Sequence, residues 1–200
     1  MVAATLIASC GADDEAAVLQ SFSNYKEAIL AGEGQRAADL VTDDTLAYYE
    51  QIRRLAVSAG REEITQRRLI DRLSVAYYRV LIGPESLRAM TGRDVFVFGV
   101  DNGLIGRSDA INLEIGEVAV EGDSATAPVV VRGEPTPIAF DFSRENDQWK
   151  VDLEALLSLT DVSMQQVVQD AGVSEDAFIL DAVEASTGER VTNEVWNRPT

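Results

Sequence analysis

The spacing of apolar residues changes part-way along the chain, from three or four residues before Gly92 to two after it. The first spacing lines one face of a helix and the second one face of a strand. A chain that runs through helices and then strands belongs to the α+β class, with helices laid on an antiparallel sheet. Ala17, Val18, Phe22, Tyr25, Ala28 and Ile29 predict a helix over 13–31. Asp13, Asp14 and Glu15 sit near its positive end, and Gly32 and Gly34 stop it. A second short helix is predicted over 35–41, followed by the turn and N-cap cluster Thr42-Asp43-Asp44-Thr45. From Leu46 to Leu81 the pattern stays helical, broken near Ser58-Ala59-Gly60. Projecting that stretch at helical steps gathers Arg68, Arg72 and Arg79 on one side, nearly opposite its apolar face.

Beyond Gly92, Val95-Phe96-Val97-Phe98 predicts a strand and Asp101-Asn102-Gly103 its hairpin turn, because Asn-Gly favours left-handed backbone. Ile111, Leu113 and Ile115 alternate, then Val118 and Val120 continue on the other parity, which predicts a bulge at Gly116-Glu117. Glu121-Gly122-Asp123 turns the chain into a strand over 125–131, and Ile138, Phe140 and Phe142 form another. Trp149, Val151 and Leu153 alternate in the last strand. Phe140, Trp149 and Val151 are expected on the covered face, against Phe22 and Tyr25 of the first helix. From Asp161 the pattern is helical again, with Gly172 as a stop and Ser174 as a cap.

Thirty-four acidic residues against 17 basic give a net charge of -17, which repels nucleic acid and anionic surfaces. Arg53 to Arg93 opposes that balance with nine arginines against Glu62, Glu63, Asp71 and Glu85. The acidic tail from Asp161 is a candidate to pack beside this arginine-rich stretch, the alternative being that both are solvated faces. Histidine is absent, which removes the commonest general base and the usual partner of a catalytic Ser or Cys. The single cysteine permits no internal disulfide and no Cys/His zinc site, so neither metal nor cofactor is expected.

That cysteine, Cys10, follows the apolar run 2–9 and precedes Gly11-Ala12-Asp13-Asp14. Ile7-Ala8-Ser9-Cys10 resembles a bacterial lipobox, in which small residues admit a signal peptidase and the thiol is acylated. No Lys or Arg precedes Cys10, and the run is too short to span a membrane. The expectation is a signal remnant over 1–9, a lipidated tether over 10–14 and a domain held outside the cytoplasm at the cell envelope. The other reading of these residues is an apolar N-terminal stretch with a chance cysteine.

Several segments together resemble the NTF2-like superfamily, the cystatin-like or SnoaL-like cone fold. Tyr25 to Glu33 is similar to the end of that family's first helix, and Leu40 to Asp44 to the end of its second. Val118 to Ala125 looks like its central hairpin, and Asp147 to Val151 like its closing strand. The resemblance implies a cone over 15–157, enlarged by a helical insertion at about 46–91 and a helical extension over 158–200. It also implies a pocket between curved sheet and helices, with Tyr25, Tyr49, Phe140 and Trp149 as candidate ligand contacts. By similarity to the ketosteroid isomerases of that superfamily, Tyr25 falls on the oxyanion-donating tyrosine, but Tyr49 stands where the aspartate base belongs. A noncatalytic lipoprotein binding a small apolar molecule is therefore the first expectation. The alternatives are docking to an envelope protein through Arg68, Arg72 and Arg79, and a pocket enzyme.

Overall fold

The structure, a computed structural model, describes the backbone of residues 8–106, 113–131 and 133–199, and their side chains from Asp13 onward except at 131 and 137. Residues 1–7 of the signal remnant expected over 1–9 lie outside the described residues, as do Ile111 and the Cys10 side chain. The fold is α+β, and the chain divides into two compact units. Met1–Thr45 with Val97–Leu156 forms one, and Leu46–Phe96 with Leu157–Thr200 the other. The helical stretches expected as an insertion and an extension thus fall together in one unit.

The sheet-containing unit opens on α1 (Ala8–Ala31) and α2 (Gly34–Asp39), with Gly32 at a φ of +70° between them. Its strands are β1 (Leu113–Ile115), β2 (Ala119–Glu121), β3 (Ser124–Val131), β4 (Glu134–Glu145) and β5 (Gln148–Asp152). All pair antiparallel in a curled sheet of order β1-β3-β4-β5, with β2 also on β3. Phe140, Phe142, Trp149 and Val151 lie buried on its covered face, and Phe22 of α1 packs on Phe140 with ring centroids 5.2 Å apart. The Ser21 hydroxyl donates to the Trp149 carbonyl at 2.7 Å, fixing α1 to β5. Pairing of β1 and β2 with β3 lapses between Ile115 and Ala119, the place where the hydrophobic phase slips. Pro128, which has no N–H, sits opposite, where the β3–β4 register shifts, and accepts the Gly116 N–H at 2.8 Å.

The helical unit contains most of α3 (Asp43–Ser58), α4 (Arg61–Ile64), α5 (Leu69–Leu81), α6 (Pro84–Ala89), the start of α7 (Gly92–Asp101), most of α8 (Glu154–Ala171), α9 (Glu175–Thr187) and a 3-10 turn, Asn193–Trp196. The break at Ser58-Ala59-Gly60 separates α3 from α4, and Ser174 accepts the Ala177 N–H as the α9 cap.

The segment Val95 to Phe98 is a correction: it is helix α7, not a strand. The strand preference of β-branched and aromatic residues reflects their packing on a pleated surface, and tertiary context overrides it. Here Val95, Phe96, Val97 and Val100 are all buried. Thr91 and Asp94 start the helix by reciprocal capping: Thr91 Oγ1 accepts the Asp94 N–H at 3.2 Å, and Asp94 accepts the Thr91 N–H at 2.8 Å. Asn102-Gly103 does not turn a hairpin either. Gly103 has the left-handed φ of +70° that the dipeptide favours, but it ends α7, with the Leu104 N–H donating to the Gly99 carbonyl at 2.8 Å.

Gly92 is where the backbone of α7 passes closest to α3. A Cβ there would stand 2.5 Å from the Glu50 main-chain nitrogen and 2.7 Å from its Cα, atoms held in mid-helix. Gly92→Ala is expected to destabilise the protein by about 2–3 kcal/mol through forced separation of the two helices. Urea denaturation checks this, and a loss below about 0.5 kcal/mol means that α3 and α7 separate freely.

Candidate functional site

The candidate ligand residues divide between the two units. Tyr25, Phe140 and Trp149 belong to the sheet-containing unit, and Tyr49 to the helical unit. The covered sheet face is filled by its own side chains: Phe140 packs on Phe22 and Phe142, and Tyr25, Trp149 and Val151 are buried with them. Trp149 carries a polar cluster at this face. Its indole N–H donates to Asp14 at 3.3 Å, Arg144 pairs with the same carboxylate at 2.5 Å, and the Arg144 guanidinium lies 4.7 Å from the indole centroid. The hydrogen bond from Arg144 lowers the Asp14 pKa, with burial opposing it, so Asp14 is held as a carboxylate.

Tyr49 stacks edge-on with Tyr48 and Phe96 at 5.2 and 5.0 Å, and burial pushes its phenol pKa up. Tyr48 is pushed up by burial and by Asp71, which accepts its hydroxyl proton at 2.8 Å. Glu50 moves the other way, to about 2, because Arg53 donates to it, against the cost of burial, with Arg54 adding to the effect. A general acid or base works best with a pKa near the ambient pH, whereas these groups are driven away from neutrality, Tyr49 by burial, Tyr48 by burial and Asp71, and Glu50 by its arginines. Gly32-Glu33-Gly34 holds no phosphate-type site, since the Gly34 N–H at the start of α2 is taken by Asp101 at 2.7 Å.

The three arginines grouped by sequence do share a side of α5, but that side is largely covered within the helical unit. Arg72 is buried, bonds Glu175 and Asp176 at the start of α9, and lies 5.7 Å from the Trp196 ring centroid. Those two acids fall at the positive end of α9, where carboxylates are also favoured by the helix dipole. Arg68 pairs with Asp71 and donates to the Ser158 hydroxyl at 3.2 Å. Arg79 sends all five of its N–H groups to main-chain carbonyls, those of Leu55, Ala56, Ala59, Val195 and Asn197. An open, solvated arginine face is therefore not what α5 presents. Amphipathic projection shows which residues share a side, and a later segment of the chain decides whether that side meets water.

Two surface features escaped the sequence reading. Val162 and Val167 on α8 are 62% and 53% exposed, and in this helix only Asp161 and Val168 are fully buried. Asp161 turns inward to accept the Ile70 N–H at 2.9 Å, which ties α8 to the start of α5. The second feature is an open groove of about 410 Å³ beside the carboxyl-terminal turn, walled by Arg79, Val80 and Pro84 on one side and by residues 189–199 on the other. In sequence Val162, Met164, Val167 and Val168 are alike as apolar positions of one helix, and nothing local separates buried Val168 from exposed Val162 and Val167.

Among the described residues, no helix is long and apolar enough to cross a membrane, and no group of three His, Cys, Asp or Glu side chains is arranged to hold a metal ion. Comparison of the chain with protein-family models, with curated proteins and with solved structures finds no match.

Proposed function

We propose that the protein is a noncatalytic docking module of the bacterial cell envelope, anchored through an acylated Cys10 and built on an NTF2-like cone with an added helical unit. The observation that carries the docking reading is α8, which turns large aliphatic side chains at Val162 and Val167 outward. The two valines border the exposed side of α8, about 140° apart around the helix with Ser163 and Gln166 between them, so that side is partly apolar and partly polar. The small-apolar-ligand reading has less behind it, because Phe140, which would line such a pocket, is packed on Phe22 of α1 and on Phe142, and Trp149 is buried with its indole N–H on Asp14 of α1. The anchor reading is supported by the small-residue context of Cys10, and two or three acyl chains hold a protein stably where one does not.

Two measurements test this. Cell fractionation of the full chain and of Cys10→Ser is expected to recover the first with membranes and the second in the soluble fraction, and equal soluble recovery removes the anchor. A photo-crosslinking residue at Val162 or Val167 is expected to trap one defined envelope protein that the same residue at exposed Glu62 does not. If adducts from both positions are the same, α8 is not a docking face.

A further inference from the structure

We infer that the groove beside the carboxyl-terminal turn binds an acidic, partly apolar peptide segment of a partner protein. The inference rests on the docking reading and adds the partner's chemistry. Three arginines line the groove, Arg79, Arg190 and Arg198, against Glu189 and Glu194. Arg79 forms the buried end of this set. Its donors are all satisfied by carbonyls, and burial lowers its pKa to about 10 with no acid acting on it. Carbonyl dipoles satisfy a guanidinium's protons but carry no net charge, so its positive charge has no counter-ion. Arg190 and Arg198 have no carboxylate partner among the described residues either.

That is unusual in this chain, where acids outnumber bases two to one. Elsewhere Arg36, Arg53, Arg61, Arg72 and Arg144 each pair with a carboxylate. The groove thus sets three cations against two acids with no ion pair among them in the described residues, which fits a further anion brought by a partner. Val80, Pro84, Val191, Val195 and Pro199 supply the apolar part of the same lining. An occupant therefore needs apolar side chains as well as carboxylates, and the open side of the groove suits an extended chain. Glu189 and Glu194 repel an unbroken acidic run, which favours acids that alternate with uncharged residues.

The test uses the full chain and a fluorescein-labelled peptide in which Glu alternates with Leu, with a Gln-for-Glu peptide and free glutamate as comparisons. Fluorescence anisotropy is expected to show the Glu peptide binding about tenfold or more tightly than the Gln peptide, and weakening as salt is raised. Arg190→Glu combined with Arg198→Glu is expected to lose about tenfold or more, while Arg54→Glu on exposed α3 stays within about twofold. Both altered groove positions are exposed, and circular dichroism matching the parent chain verifies that the fold is intact. Equal binding of the two peptides, or no effect of the double variant, overturns the inference. Displacement by free glutamate as effective as by unlabelled peptide overturns the peptide occupant and leaves a small-carboxylate site. Crosslinks from Val162 that persist when the groove test fails leave the docking reading standing. Peptide binding without those crosslinks removes the α8 face and keeps the groove.

Discussion

Trp196→Ala is expected to destabilise the helical unit by about 3–5 kcal/mol, among the largest losses available to a single change in this protein. Trp196 is 1% exposed and is the largest of the fully buried side chains. Its removal empties the volume between the 3-10 turn and α5 and leaves the Arg72 guanidinium without the ring it lies against. Little can collapse into that space. Arg79 pins the carbonyls of Val195 and Asn197 on either side of Trp196, so the turn cannot simply close over the cavity. Denaturation followed through the remaining tryptophan, Trp149, and through far-ultraviolet circular dichroism separates the helical unit from the sheet-containing one. Trp196→Phe is expected to lose distinctly less, because most of the apolar volume is retained. If alanine at this position costs under about 1 kcal/mol, the carboxyl-terminal turn is not part of the helical core.

Trp149→Ala is expected to cost a similar amount, about 3–5 kcal/mol, in the sheet-containing unit. The ring is 7% exposed, donates to Asp14 and has the Arg144 guanidinium on its face. Alanine removes the packing, the hydrogen bond and the cation–π contact together. Phenylalanine removes the indole donor but keeps a ring, so the difference between the two variants measures the packing. Here Trp196 fluorescence is the probe for the other unit, and a loss below about 1 kcal/mol for Trp149→Ala would put the ring outside the sheet core.

Local pattern was enough to specify the α+β class and much of the sheet. The alternation at Phe140, Phe142, Trp149 and Val151 identified a covered face because strand geometry sends every second side chain the same way, whatever lies opposite. The helix breaks at Gly32 and at Ser58-Ala59-Gly60 were equally legible, since they depend on local backbone preferences. Tertiary structure decided three matters that local pattern does not contain. Val95 to Phe98 became helix because tertiary packing overrides a strand preference that is itself set by context, and the capping pair Thr91 and Asp94 was the local signal that pointed the other way. Arg68, Arg72 and Arg79 share a side as their spacing indicates, but distant segments determine that they are occupied internally: α8 for Arg68, the start of α9 for Arg72, and the end of α3 with the carboxyl-terminal turn for Arg79. The groove beside that turn depends on distant segments too: Arg79 lies on α5 and Arg190 and Arg198 on the tail, and no short-range periodicity links residues so far apart in the chain.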